Sequence, residues 1–210
     1  MNKLIDLNSP YIKQILPILL KDRTTKKNMI WATDNYSQYG EDYYEISEIN
    51  EKSLYTLDKD IFQPRVYKSQ LMQKSRTKTK AEVFTPVWIC NLMNSHCDEV
   101  WFGYKDVFNK PSEDNKKWTK TRKVVFPDDK YWKEYVDSRR IEITCGEAPY
   151  LVSRYDTTTG AIIPIGKRIG MLDRKLRVID ENAETKDEWF FWVVRAYQAT
   201  YGYEWQGDNP

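Results

Sequence analysis

The run Ile141-Glu142-Ile143-Thr144-Cys145-Gly146-Glu147-Ala148-Pro149-Tyr150-Leu151 constrains the fold more than any other stretch of the chain. Ile141 and Ile143 alternate with polar neighbours, which is the period of a strand. Gly146 and Ala148 then break the pattern with small residues that let a ligand approach the main chain, before an apolar segment resumes. These residues predict a strand feeding a tight turn. On them alone two uses of the turn stay open: a plain strand-to-helix connection, or a ligand-binding loop.

Two further stretches bear on that choice. Upstream lies Glu82-Val83-Phe84-Thr85-Pro86, followed by a helical pattern, and downstream lies Tyr201-Gly202-Tyr203-Glu204-Trp205. Together the three stretches resemble the S-adenosylmethionine-binding motifs of the N6-adenine DNA methyltransferases of restriction–modification systems. The resemblance runs from about Arg65 to the last residue. It implies an α/β fold, a partial Rossmann-like methyltransferase sheet with its first strands only, preceded by a mainly helical N-terminal arm.

The same resemblance implies a cofactor set of Phe84, Thr85, Pro86, Glu142, Cys145, Gly146, Ala148 and Glu204. In the family the Thr-Pro pair sits against the methionine carboxylate, and an acidic residue ending the second strand holds the ribose hydroxyls. Glu142 takes the acidic position of the first strand, and Ala148 stands where a second glycine is usual. The catalytic tetrapeptide of the family, Asn/Asp/Ser-Pro-Pro-Tyr/Phe, does not occur in these 210 residues.

Composition bounds the partners. A net charge of +2 is too small to announce nucleic acid by itself, so any such claim must rest on local clustering. One cluster runs from Arg65 through Lys68, Lys74, Arg76 and Lys78 to Lys80 with no acid between. It reads equally as a track for a phosphate backbone or as a solvated linking helix. No apolar run reaches the roughly 20 residues of a membrane span, and no signal-peptide layout opens the chain, so a cytoplasmic protein is expected. Cys90, Cys97 and Cys145 are an odd, sparse set that suits free thiols in a reducing compartment, and no metal site is expected of them.

Three segments follow: an arm over 1–64, a basic link over 65–80 and a methyltransferase-like domain over 81–210. In the arm, Ser9-Pro10 opens a short or kinked helix interrupted by Pro17. Met29 to Thr33 reads as a strand or buried turn, the Tyr- and acid-rich stretch through Glu45 reads as a solvated loop, and Ile46 to Ile61 stays ambiguous. In the domain, Thr85 is expected to cap a helix with Pro86 at its first position and an apolar stripe of Trp88, Ile89, Leu92, Met93, His96 and Val100. His96 reads as structural. A hairpin is expected around Val124-Val125-Phe126, a short helix over 131–136, a second hairpin around 155–165, and a helix from about Lys186 to Ala199 whose apolar girdle calls for cover on both sides. A second parallel strand ending at Glu204 completes a βαβ unit.

With the first strand normally central, Ile141–Thr144 should present an unpaired edge unless the N-terminal arm or the inserted hairpin covers it, and an open edge invites a partner. The expected function is therefore binding without catalysis: of DNA, or of a protein partner such as a methyltransferase subunit or a restriction or CRISPR nuclease, the last as a phage-type inhibitor of host defence. A homo-oligomer through the open edge is a related expectation. Two alternatives stand beside this one, a methyltransferase subunit completed by another chain with S-adenosylmethionine as cofactor, and a simple nucleic-acid-binding module.

Overall fold

The computed structural model describes residues 7–22, 24–57, 65–67 and 85–204, and of Arg65 the backbone alone. It is a mixed α/β structure with small two-stranded sheets. The chain divides into two compact units, Met1–Arg76 with Glu204–Pro210, and Thr77–Tyr203. Among the residues expected to bind, Phe84, Lys68, Lys74, Arg76, Lys78 and Lys80 lie outside the described residues.

In the first unit, α1 spans Pro10–Leu19 with Pro17 inside it, and α2 spans Glu51–Thr56. Ser9 stands at the N-cap of α1, but its side chain makes no capping bond. Asn50 does cap α2, its Oδ1 accepting the Ser53 amide at 2.9 Å while Ser53 Oγ accepts the Asn50 amide at 3.1 Å. The segment expected to be a solvated loop is instead folded. Two 3₁₀ turns, Ser37–Tyr39 and Glu41–Tyr43, bring Tyr36 and Tyr43 onto Trp31 with ring centroids 5.0 and 5.5 Å away. Trp31 Nε1 donates to the Asp42 carbonyl at 3.0 Å, so the ring is buried with its polar edge satisfied. The acids hid this core, because they alternate with the rings that form it.

The second unit begins with α3, Val87–Phe102. A hairpin follows, β1 Asn109–Pro111 against β2 Trp118–Lys120, antiparallel, with Asn109 opposite Lys120. This replaces the hairpin expected around residues 124–126, where Val124 is instead buried and its amide donates to Glu181 Oε2 at 2.7 Å. Then come α4 Trp132–Asp137, β3 Arg140–Ile143, α5 Met171–Asn182, α6 Lys186–Gln198 and β4 Thr200–Tyr203. The second hairpin is minimal, a single antiparallel bridge between Tyr155 and Ile162.

β3 and β4 are parallel and in register, Arg140 with Thr200, Ile141 with Tyr201, and Ile143 with Tyr203. Helices α5 and α6 lie between them in sequence, so the strands and helices form a βαβ unit. Among the described residues β3 pairs on one edge only. The core joins Phe102, Phe108 and Val124 to Tyr135 and Val136 of α4, Val178 and Ile179 of α5, and Ala196 of α6.

Two helices turn other faces inward than their apolar residues suggest. In α3 the buried positions include Asn91, Asn94 and Asp98, whereas Met93, Val100 and His96 are exposed. In α6 only Ala196 is fully buried, and Phe190, Phe191, Val194 and Tyr197 lie exposed, so the apolar girdle is covered on one side. The strand pair follows the same inversion. Arg140 and Glu142 are half-buried while Ile141 and Ile143 are 56% and 69% exposed. The parallel register sets Tyr201 and Tyr203 beside the isoleucines on one open apolar face.

Candidate cofactor-binding turn

The turn after β3 is bent by left-handed residues at every second position: Thr144 at φ 55°, Gly146 at 53° and Ala148 at 53°. A Cβ added at Gly146 would meet nothing within 4 Å, so glycine serves there for its backbone and not for space. Thr144 is β-branched and Ala148 carries a methyl, and both hold a conformation that costs on the order of 1–3 kcal/mol and clusters at ligand sites. The surroundings hold the turn in this shape. Cys145 N donates to the Tyr203 carbonyl at 2.9 Å, Ala148 N to the Cys145 carbonyl at 2.7 Å, and Leu151 N both to the Ala148 carbonyl at 3.1 Å and to Glu142 Oε2 at 3.2 Å.

Gly202 of β4 lies beneath the turn. A Cβ there would come within 3.2 Å of Cys145 Sγ and of Leu151 Cδ1. Gly170, before α5, is tighter still, since a Cβ would stand 2.3 Å from the Leu151 carbonyl oxygen. Asp173 Oδ2 holds the same place, accepting from the Gly170 amide at 3.2 Å and the Ser153 amide at 3.0 Å. Burial pushes the Asp173 carboxyl up, although these bonds pull the other way.

Thr85 and Pro86 enter from the other direction. Pro86 is the N-cap residue of α3, which starts at Val87, and no side chain caps it, so the expected Thr85 cap is not formed. The Thr85 carbonyl is used instead, accepting Thr157 Oγ1 at 2.7 Å and facing Cys90 Sγ at 4.0 Å. This ties the segment to the 155–162 turn, and the first helical turn bonds back to the Pro86 carbonyl through the Ile89 and Cys90 amides.

Thr85 and Glu142 share two neighbours, Cys90 and Tyr150. Burial pushes the Cys90 thiol up to about 12, the Glu142 charge adding to the effect and Tyr150 opposing it. The Tyr150 hydroxyl is also raised, by burial first and then by Cys90 and Glu142, against a hydrogen bond with Thr85. The Thr85 carbonyl thus faces a buried thiol that also feels the Glu142 charge. Glu204 follows Tyr203 directly at the carboxyl end of β4, is exposed, and falls in the first unit.

Behind the turn lies a polar core that the sequence stripe of α3 did not disclose. Arg174 forms an ion pair with Asp98 and donates through Nη2 to Asn91 Oδ1 at 2.8 Å and Ser95 Oγ at 3.1 Å. Tyr135 OH donates to Asp98 Oδ1 at 2.9 Å, and Arg140 Nη2 stands 4.0 Å from that oxygen. Asn91 and Asn109 exchange amide bonds at 3.0 and 2.8 Å, and Asn94 Nδ2 donates to the carbonyls of Tyr150 and Ile169. The available signal was Asn91, Asn94 and Asp98 at helical spacing, a polar stripe that a solvent-facing reading absorbs.

Lys175 is fully buried and reaches past α5 to the ends of two other helices. Its Nζ donates to the carbonyls of Ser138 and Ala199, the C-caps of α4 and α6, at 2.6 and 3.1 Å. The ammonium therefore sits where two helix dipoles are negative, at the roots of β3 and β4. Burial, with Arg140 and Arg195 adding and Asp137 opposing, pushes its pKa down to about 8.

Neither the family models, nor the curated proteins, nor the solved structures with which the chain was compared gave a match. Among the described residues no group of three or more His, Cys, Asp or Glu side chains could hold a metal ion. No helix among them is long and apolar enough to cross a membrane.

Proposed function

We propose that this chain is a methyltransferase-derived protein resembling the cofactor-binding half of an S-adenosylmethionine-dependent adenine DNA methyltransferase, and that it acts by binding DNA or a restriction or CRISPR defence complex. One observation carries the proposal: a parallel strand pair whose first member ends in the strained 144–148 turn and whose second member runs directly into Glu204. Open α/β sheets bind their ligands outside the carboxyl ends of the strands, which is where the turn stands. The Thr85 carbonyl, 4.0 Å from the Cys90 Sγ on which the Glu142 charge acts, supports the same reading.

Binding is favoured over methyl transfer because the acid, turn and Thr-Pro elements are cofactor-side features. Methylation of a base needs a flipped adenine whose amino group is held beside the methyl donor, and the Asn-Pro-Pro-Tyr type of motif that does this is not in the sequence. The exposed isoleucines and tyrosines of the strand pair support a second reading, in which another chain covers that face and supplies the missing residues.

Calorimetric titration with S-adenosylmethionine tests the proposal. Saturable binding that is lost in Glu204→Ala and weakened in Gly146→Val is the expected result. No heat of binding at millimolar cofactor would overturn it.

A further inference from the structure

The β1–β2 hairpin carries a charge cluster outside the 65–80 stretch. Within Asn109–Lys123 stand Lys110, Lys116, Lys117, Lys120, Arg122 and Lys123 against two acids, Glu113 and Asp114. Asp114 is occupied within its own turn, its Oδ1 accepting Ser112 Oγ at 2.7 Å and the Lys116 amide at 3.1 Å. Folding adds Lys167 and Arg168 from the short helix at Ile165–Lys167 and the residue after it.

Two adjoining cavities meet at Trp118. One, of about 470 Å³, is lined by Lys110, Lys116, Lys117 and Lys167 with Trp118. The other, of about 310 Å³, is lined by Trp118, Lys120, Lys167 and Arg168 together with Asp173 and Asp180. Among the described residues none of these five lysines forms an ion pair within 4 Å, and all five are exposed, although Lys116 and Lys117 help to hold the Asp114 carboxyl down. Trp118 Nε1 donates to the Lys167 carbonyl at 3.1 Å. That bond uses the only polar atom of the indole and fixes the ring, whose apolar surface is then what both cavities share.

We infer that this hairpin groove is a binding site for a nucleic-acid strand, with lysines on successive phosphates and a base against Trp118. Lysines alone would suit any polyanion. An immobilised indole between lysine-rimmed cavities of nucleotide size fits a chain that alternates phosphates with flat rings, since base–aromatic stacking tolerates any sequence and the lysines track the backbone. An acidic peptide offers charge without the rings. The site lies wholly within the second unit and does not depend on the cofactor reading.

Fluorescence anisotropy of a labelled oligothymidylate, with no cofactor present, tests it. The triple variant Lys116→Gln, Lys117→Gln, Lys167→Gln is expected to bind about tenfold more weakly or worse, with the slope of log affinity on log salt reduced by about 2. Trp118→Leu is expected to lose about tenfold, while Trp118→Phe, which also lacks the indole donor but keeps a ring, binds nearly as the wild type does. The inference is overturned if the triple variant binds like the wild type, if Trp118→Leu and Trp118→Phe are alike, or if polyglutamate competes as well as unlabelled oligothymidylate. It is equally overturned if Arg76→Gln, Lys78→Gln, Lys80→Gln accounts for all of the affinity.

Discussion

Glu142 Oε2 accepts the main-chain amide of Leu151, nine residues later, at 3.2 Å. The carboxylate on the inner face of β3 thereby closes the turn that the strand delivers, and the strand is polar inside and apolar outside as a result. Glu142→Ala is expected to cost about 1–2 kcal/mol and to speed amide exchange at Leu151, while Glu142→Gln, which keeps an acceptor, costs less. Exchange rates at Leu151 equal to the wild type in the alanine variant would show that the carboxylate does not hold the turn.

Asp98 and Arg174 form the centre of the buried polar core, and the cost of disturbing them depends on what is left behind. Asp98→Ala strands the Arg174 guanidinium in the interior and is expected to destabilise by about 3–5 kcal/mol. The double variant Asp98→Leu, Arg174→Met removes both charges and is expected to be less damaging than the sum of its parts. Urea denaturation of the two singles and the double measures the coupling, and strict additivity would contradict it.

Lys175 makes stability depend on pH at the alkaline end. Its folded pKa of about 8 lies below the ordinary value of 10.5, so between the two the unfolded chain holds a proton that the folded chain has released. Folding stability from this group therefore rises with pH across that window, by at most about 1.4 kcal/mol per pH unit. The stability of the wild type relative to Lys175→Met is expected to increase from pH 8 to 10.5 and to be flat below pH 7. A difference independent of pH would refute the shift.

Gly170 and Gly202 are small for reasons of space and should rank accordingly. Gly170→Ala drives a methyl into the Leu151 carbonyl, whereas Gly202→Ala presses on two side-chain atoms that can give way. The first is expected to be the more destabilising, by more than about 2 kcal/mol against about 1 for the second. Thermal melts of the two variants give the order directly.

Cys90 is fully buried with its thiol pushed up to about 12, while Cys97 and Cys145 are partly accessible. Ellman's reagent at neutral pH is expected to label two thiols in the folded protein and the third only with unfolding. Rapid labelling of Cys90 would mean that its packing against Val87, Ile163 and Ile169 opens readily.

Local pattern in the sequence located part of the regular structure, though not the 109–120 hairpin or α5. The alternation at 141–143, Pro10 at a helix start and the long run from Lys186 each led to the right element, because period and propensity act over a few residues. The turn at 144–148 was legible for the same reason, as small residues mark a sharp change of chain direction. Which face each element buries was decided only by tertiary structure. Asn91, Asn94 and Asp98 go inward because Arg174, Asn109 and two carbonyls from other segments take up most of their polar atoms, Asn94 Oδ1 being left without a hydrogen bond among the described residues, and Ile141 and Ile143 go outward because Glu142 accepts the Leu151 amide and Arg140 stands 4.0 Å from Asp98 beneath the strand. A polar group is buried when its partners are in place, and those partners lie 9 to 83 residues away along the chain, beyond the reach of any local pattern.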